Sequence, residues 1–276
     1  MTRRRLDAEV ARRGLARSRQ HAQVLIAAGS VAVKGVIAVK PATMVDDADA
    51  IDVRVSERAY VSRGAHKLIG ALDALVDLHV GGRLALDAGA STGGFTEVLL
   101  QRGVSAVLAM DVGYGQLAWS LRQDPRVVVV ERSNVRYATR SDLPWIPNLV
   151  VADLSFISLK TVLPALLVCS AEQADLVLLV KPQFEVGREH VADGVVRDPA
   201  LRQHAVMTIA EAVLRAGHQL RAIVASPLPG PRGNVEYFLW ATKDGAHVDG
   251  SSGSRWSADQ RRASALVEAA IEAGPR

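Results

Sequence analysis

The chain has 276 residues, 49% hydrophobic and 22% charged, which excludes a wholly disordered or collagen-like polymer and allows one large domain or two unequal ones. No run approaches the roughly 18 apolar residues of a membrane span, and Leu6-Asp7-Ala8-Glu9 follows the basic N-terminus where a signal peptide needs an apolar stretch. The net charge of +4 is unevenly spread: residues 1–40 carry seven arginines and two lysines against Asp7 and Glu9, so a basic head precedes a mildly acidic body. Nucleic acid is the commonest partner of such a patch, because Lys and Arg contacts to phosphate release condensed counterions; a solvated basic face is the plainer alternative. The one cysteine, Cys169, permits neither an internal disulfide nor a cysteine metal site, and the seven histidines show no metal spacing. A cytoplasmic protein without metal or membrane attachment is expected.

In the head, Leu6–Arg13 reads as a short helix with Leu6 and Val10 inward, stopped by Gly14. Ser18 caps a second helix whose apolar face is Ala22, Leu25 and Ile26, ending at Gly29. Val31, Val33, Ile37 and Val39 alternate around Lys34-Gly35 as a hairpin does, and Ile51, Val53 and Val55 form a further period-two strand. Arg12, Arg13, Arg17, Arg19, Lys34 and Lys40 fall on or beside these elements and can share one surface. The run LDAEVARRGLARSRQHAQVLIAAGSVAVKG resembles the helix-turn-helix and following strand of the S4 RNA-binding fold, over about residues 4–56. That resemblance implies a small α+β domain, residues 1–57, that holds RNA through these six residues and Arg4.

The body, 64–276 after a linker at 58–63, alternates apolar runs with amphipathic stretches. The runs are Leu84–Asp87, Val107–Asp111, Val127–Glu131, Leu149–Asp153, Leu176–Lys181, Leu220–Ala225 and Tyr237–Ala241, with helical patterns such as Phe95–Arg102 and Leu201–Ala216 between them. Near-continuous apolar strands alternating with helices predict an α/β fold with a parallel seven-stranded sheet covered on both faces; the short last connection makes the final pair antiparallel. This is the layout of a class I, Rossmann-like methyltransferase, although periodicity equally allows other doubly wound folds. Asp249–Ser254 reads as a linker, and Ser257 with Gln260 as a capping box for a last helix, 258–273, with Ala263, Leu266, Val267, Ala270 and Ile271 inward.

The first body strand runs into Asp87-Ala88-Gly89-Ala90-Ser91-Thr92-Gly93-Gly94-Phe95. Glycines let a ligand approach the backbone, and the next helix offers unpaired N–H groups. Ser91 replaces the middle glycine of a dinucleotide fingerprint, which weakens a pyrophosphate or NAD reading. Asp111 ends the second strand, where a carboxylate can accept from both ribose hydroxyls; Asn134, after the third, can meet an adenine edge. The plainer alternatives are a tight turn for the glycines and a helix cap for Asp111. The run resembles motif I of S-adenosylmethionine-dependent methyltransferases in its FtsJ-like 2′-O-ribose form. This implies cofactor contacts at Asp87, Gly89, Ser91, Gly93, Gly94, Phe95, Asp111 and Asn134.

Asp153 and Lys181 end the fourth and fifth strands, Glu236 starts the last, and Lys67 begins the helix before the first. All four can face one crevice at the carboxyl edge of the sheet. A ribose 2′-hydroxyl is a poor nucleophile, and a neutral lysine amine can take its proton while a methyl arrives in line. A second cation favours that neutral form, and carboxylates hold both amines in place. A simple salt bridge is the alternative for either Lys–Asp/Glu pair. The four resemble the K-D-K-E tetrad of FtsJ-like enzymes through RGAHKL, VVADLSF, LLVKPQFE and GNVEYFLW; this implies Lys181 as base and Lys67 as a group that orients substrate or tunes it. Arg63 and Arg188 are softer phosphate-binding candidates. Phe156 and Phe184 stand between stacking a flipped base and packing a core.

An S4-like head on an FtsJ-like body is similar to the TlyA family over essentially the full length. Its linker appears as Arg58-Ala59-Tyr60-Val61, with Tyr60 where relatives carry tryptophan; the retained aromatic is expected to change little. The resemblance implies S-adenosyl-L-methionine as cofactor and 2′-O-methylation of cytidine in the ribosomal RNA of assembled 30S and 50S subunits, by an enzyme expected to be monomeric. Loss of that methylation gives capreomycin resistance in the family, and some members are labelled haemolysins. Base methylation is opposed on two counts. C5 chemistry needs a cysteine among the strand-end motifs, and amine chemistry favours an Asn/Asp-Pro-Pro-aromatic run where Asp153-Leu154-Ser155-Phe156 stands. An RNA-binding module with an inactive body and a membrane-active protein are the non-enzymatic alternatives.

Overall fold

The protein is described from a computed structural model covering residues 3–16, 18–27, 29–53, 60–191, 193–230, 232–244 and 253–275. Two compact units divide the chain, Met1–Ala59 and Tyr60–Arg276. In the first, β1 (Arg4–Arg5) runs directly into α1 (Leu6–Arg12), and α2 (Arg19–Ala27) follows. The His21 amide donates to Ser18 Oγ at 3.1 Å, the N-terminal cap that the sequence predicts. Gly14 and Gly29 close the two helices at φ +72 and +70, the left-handed conformation that glycine adopts without steric cost. β2 (Val31–Val33) and β3 (Val36–Ile37) form the expected hairpin, with Lys34 and Gly35 both left-handed at its turn. β4 (Met44–Val45) pairs antiparallel with β1, and β5 (Ile51–Val53) with β2. The β1–β4 pair has no sequence signature, because two residues show no alternation. Leu6, Val10, Ala22, Ile26, Val31 and Val45 fill the core of this unit. Val55 of the expected strand lies outside the described residues.

The second unit begins with α3 (Gly64–Ala74) and β6 (Leu84–Ala88). There follow α4 (Gly94–Gln101), β7 (Ala106–Met110), the single turn α5 (Trp119–Arg122), β8 (Val127–Val130) and β9 (Leu149–Ala152). Then come α6 (Leu159–Cys169), β10 (Gln173–Val180), α7 (Pro182–Glu185), α8 (Pro199–Arg215), β11 (Gln219–Ala225), β12 (Tyr237–Asp244) and α9 (Gly253–Ala273). The seven strands lie in the order β11-β12-β10-β9-β6-β7-β8, with β12 antiparallel to both its neighbours. Successive strand residues face opposite sides. Leu86 and Leu108 pack under α6 and α8, whereas Ala85 and Val107 pack under α3 and α4. The chain builds outward from β6 to β8, then returns to β9 on the other side of β6, so the topological switch point lies between β6 and β9.

Four boundaries shift from expectation. Asp111, Glu131, Asp153 and Lys181 each stand one residue beyond their strands, where ladder hydrogen bonding has ended. The last helix starts at Gly253, so Ser257 lies inside it rather than capping it. Four residues of the expected linker, 249–252, fall outside the described residues. Arg215 of α8 lies over the Trp256 ring at 5.9 Å, a contact in the first turn of α9. Ala263, Val267 and Ala270 are buried as expected. Arg58 and Ala59 of the linker are also outside the described residues. Tyr60 and Val61 are fastened to α4, the Tyr60 hydroxyl donating to Gln101 and the Val61 amide to Glu97, each at 2.8 Å. No helix among the described residues is long and apolar enough to cross a membrane.

Candidate active site

The glycine loop after β6 is shaped by what presses on it. Gly89 has φ +86, and a Cβ there would stand 2.6 Å from the Asp153 carbonyl oxygen, so only glycine lets the ends of β6 and β9 meet. Gly93 has φ +99 and lies against Leu117 and Leu121; at Gly94 a Cβ would overlap Ser62 and the start of α3. Gly94 thus lets the N-termini of α3 and α4 come together, and Gly93 lets the loop close on Leu117 and Leu121. Ser91 is left-handed at φ 49, and its amide donates to Asp111 Oδ2 at 2.8 Å. Asp111 Oδ1 accepts from the Gly113 amide at 2.7 Å. Its carboxylate is therefore held by two backbone donors, with lone pairs left for a ligand.

Asp87 is fully buried below the loop. Thr96 donates to its Oδ2 at 2.6 Å, while Oδ1 has no partner among the described residues. Burial pushes this carboxyl up to about 7 against the Thr96 hydrogen bond, and the charges of Asp153 and Asp111 add to the rise. Phe95 is a core residue, 5.9 Å from Phe238 between ring centres, and also borders the cavity. Asn134 is exposed and caps a short 3-10 turn by accepting from the Arg136 amide at 3.0 Å, leaving its amide hydrogens available.

A cavity of about 560 Å³ opens beside this loop, and Lys67, Asp153, Lys181 and Glu236 all line it. They meet because of register. Val180 pairs with Tyr237, which places Lys181, just past β10, opposite Glu236, just before the antiparallel β12. Leu178 and Ala88 both pair with Ala152, which brings Asp153 between Lys181 and the glycine loop. Lys67 Nζ lies 2.5 Å from Glu236 Oε2, and Lys181 Nζ 2.6 Å from Asp153 Oδ1. Both lysine side chains are 9% exposed; Glu236 is wholly buried and Asp153 22% exposed, so Lys67–Glu236 is a desolvated ion pair and Lys181–Asp153 a half-buried one.

Ser155, which the sequence quotes but does not single out, accepts from Lys181 Nζ at 2.9 Å. Its signal was a hydroxyl two residues beyond the strand-end aspartate. Arg63, at the N-terminus of α3, also lines the cavity. Phe156 is 92% exposed, so it is no core residue; its ring centre lies 5.3 Å from that of Phe184 at the cavity wall. The Arg188 side chain lies outside what is described. Asp111 and Asn134 stand apart from this cavity, along the carboxyl edge toward β7 and β8.

In the first unit the basic residues are divided between two uses. Asp7 and Glu9 have no exposed side-chain surface. Arg5, Arg19 and Gln23 bond Asp7, while Arg12 and Arg13 bond Glu9. Burial pushes the Asp7 carboxyl up, but these hydrogen bonds outweigh it and leave the group well below the usual range. Hydrogen bonds from Arg12 and Arg13 hold Glu9 down at about 2 against burial. Arg13 also donates to the carbonyls of Asp46, Asp47 and Asp49, so its guanidinium is spent within the fold. Arg4, Arg12, Arg19, Lys34 and Lys40 keep exposed surface, although Arg4 pairs with Asp47 and Lys34 with Asp49. Arg17 lies outside the described residues.

Comparison with known proteins gives the same division. The model of the FtsJ-like methyltransferase family matches residues 60–243, and that of the S4 domain residues 4–51. The chain is 62% identical over 238 residues to the 16S/23S rRNA (cytidine-2′-O)-methyltransferase TlyA of Mycobacterium tuberculosis, spanning 86% of this chain and 88% of that one. It is 38% identical to Hemolysin A of Brachyspira hyodysenteriae, covering 85% of this chain and 98% of that one. A solved structure from Streptococcus thermophilus, also given a hemolysin name, superposes with a TM-score of 0.71 at 35% identity over 99% of this chain and 97% of its own.

Proposed function

The chain belongs to the FtsJ-like methyltransferase family and carries an S4 domain, and from that premise we propose that it methylates the 2′-hydroxyl of cytidine ribose in ribosomal RNA, using S-adenosylmethionine, on assembled 30S and 50S subunits in the cytoplasm. One observation carries the reading: two lysines and two carboxylates pair crosswise in one cavity against the glycine loop.

The residues present fit the methyl donor. Gly89 and Gly93 let the loop close against Asp153 and against Leu117 and Leu121, which gives it its shape beside the cavity, and Asp111 offers a fixed carboxylate to a ribose diol. The Asn134 amide hydrogens suit an adenine edge. The bound donor supplies an electrophilic methyl: the ribose oxygen gains it, and the departing thioether keeps the electron pair of the broken C–S bond. Lys181 does the protein's part. Its neutral amine takes the 2′-hydroxyl proton and ends as an ammonium held by Asp153. Lys67, fixed by Glu236, orients the ribose from the opposite wall. Phe156 and Phe184 offer a stacking face for the base, and Arg63 a charge for its phosphate. Arg4, Arg12, Arg19, Lys34 and Lys40, with Arg17, supply the longer-range hold on RNA, and Arg13 braces their scaffold.

The test is labelled methyl transfer to intact small and large subunits, with nuclease mapping of the modified ribose. Lys181→Ala should lower transfer by about 10²- to 10⁴-fold with subunit binding retained. Undiminished transfer by that variant would remove Lys181 from the chemistry.

A further inference from the structure

We propose that Ser155 is a positioning residue for the Lys181 amine, turning its lone pair toward the cavity. The inference rests on the reading above, in which Lys181 receives the ribose proton. Two oxygens surround Nζ: Asp153 Oδ1 at 2.6 Å and Ser155 Oγ at 2.9 Å. Among the described residues no third polar atom bonds it. A neutral primary amine has two N–H bonds and one lone pair, arranged tetrahedrally. One hydrogen is directed to Ser155, while Asp153 Oδ1 holds the nitrogen by charge, outside hydrogen-bond geometry, so the Ser155 bond is what fixes the rotation of the amine and with it the lone pair. All three side chains line the cavity, so a substrate hydroxyl there can reach the position that the Ser155 bond leaves free. Without Ser155 the amine is free to turn about its Cε–Nζ bond among staggered positions, most of which aim the pair elsewhere.

The loop that carries Ser155 is held to the segment that carries Lys181. Glu185, four residues after Lys181, accepts from Ser158 Oγ at 2.5 Å and from the Leu159 amide at 2.8 Å. Phe156, between them, is left-handed at φ 65, a conformation a bulky residue keeps only when its surroundings impose it. Ser155 is thus fixed at a set distance from Nζ. The other charged groups on the cavity wall are Lys67 and Glu236, paired with each other, and Arg63 and Arg232 at its rim.

The experiment uses the full chain with Ser155→Ala and Ser155→Thr. Loss of one neutral hydrogen bond predicts a fall in kcat of about 3- to 10-fold for the alanine variant. KM for subunits and calorimetric affinity for S-adenosylmethionine should not change. The rising limb of kcat against pH should move to lower pH, because the ammonium has lost an acceptor, and threonine should restore both rate and profile. Nitrogen-15 NMR of labelled lysine provides a readout free of turnover: the Lys181 Nζ protons should exchange faster in the alanine variant. An unchanged rate and pH limb would overturn the inference, as would equal losses in both variants with a lowered Tm. A faster alanine variant would also overturn it, by showing that Ser155 donates to the lone pair and occupies it. Lys181→Ala separates the two ideas: if it abolishes transfer while Ser155→Ala changes nothing, only the Ser155 inference falls; if it leaves transfer intact, the underlying reading falls.

Discussion

Gly89 and Asp153 are in contact through backbone: a Cβ on the glycine would lie 2.6 Å from the aspartate's carbonyl oxygen. One substitution therefore reaches both the cofactor loop and the lysine's carboxylate. Gly89→Ala is expected to cost about 1–2 kcal/mol for the left-handed backbone alone, with the collision adding to it. Thermal melting should show this loss. Methyl transfer measured well below the melting temperature should fall further than the fraction unfolded accounts for, since Asp153 must move. A variant with normal kcat would mean that the strand ends separate without disturbing Lys181.

Glu236 neutralises Lys67 at a largely buried position. Glu236→Ala leaves that ammonium buried and unpaired, a change that typically destabilises by about 3–5 kcal/mol. The double variant Lys67→Met with Glu236→Leu should regain much of the stability and none of the activity. Urea unfolding and methyl transfer on the same samples would separate the two effects. A double variant that still transfers methyl groups would reduce the pair to scaffolding.

Arg19 and Lys40 are both proposed RNA contacts but differ in their partners within the fold. Arg19→Glu sets a carboxylate beside the buried Asp7, which Arg19 bonds at 3.1 Å, so it should lower the melting temperature together with RNA affinity. Lys40→Glu should leave melting unchanged, weaken subunit binding and reduce the salt slope by about 1 if the lysine meets a phosphate. Equal thermal losses in both would contradict the division between scaffold and contact residues.

The two units should respond to pH in opposite directions. Glu9 is held at about 2 and Asp7 well below the usual carboxylate range, both below their unfolded values. Their contribution is therefore complete above about pH 4.5 and is lost as pH falls through the folded value. Asp87 is raised to about 7, so the folded state keeps a proton that the unfolded chain releases near pH 4. Its share of stability falls as pH rises from about 4 to 7 and stays lost above that. Urea midpoints for the second unit should drop between pH 5 and pH 8, and Asp87→Asn should flatten the drop. Amide NMR of residues 4–53 should report the acid transition, reduced by Glu9→Gln. An Asp87→Asn protein with the parent's slope would assign the penalty to another group.

Much of the architecture was legible from local pattern. Strand and helix periods, Lys34-Gly35 at its turn and the strand-end polar residues are properties of neighbours in sequence, and chain order then dictates a doubly wound sheet. Ser257 and Gln260 make a capping box that predicts a later start for α9 than Gly253, while the contact between Trp256 and Arg215 of a distant helix has no local signature. In the sequence Asp7 and Glu9 are only two acids set against nine basic residues. They are buried counter-charges, which only the packing of α1 against α2 and β4 reveals.

The sequence by itself determined which chemical groups stand at the ends of which strands, because burial on both faces forces apolar runs and leaves polar residues only where the runs stop. Only the tertiary structure decided the partners. Lys67 and Glu236 are 169 residues apart and meet because α3 packs on the sheet face that carries Phe238 and Trp240 of β12, a placement set by sheet order rather than by either residue's surroundings in sequence. The same folding brought Ser155 to Lys181 and turned Arg13 inward, since hydrogen bonds of this kind depend on positions in space fixed by the whole packed sheet and its helices.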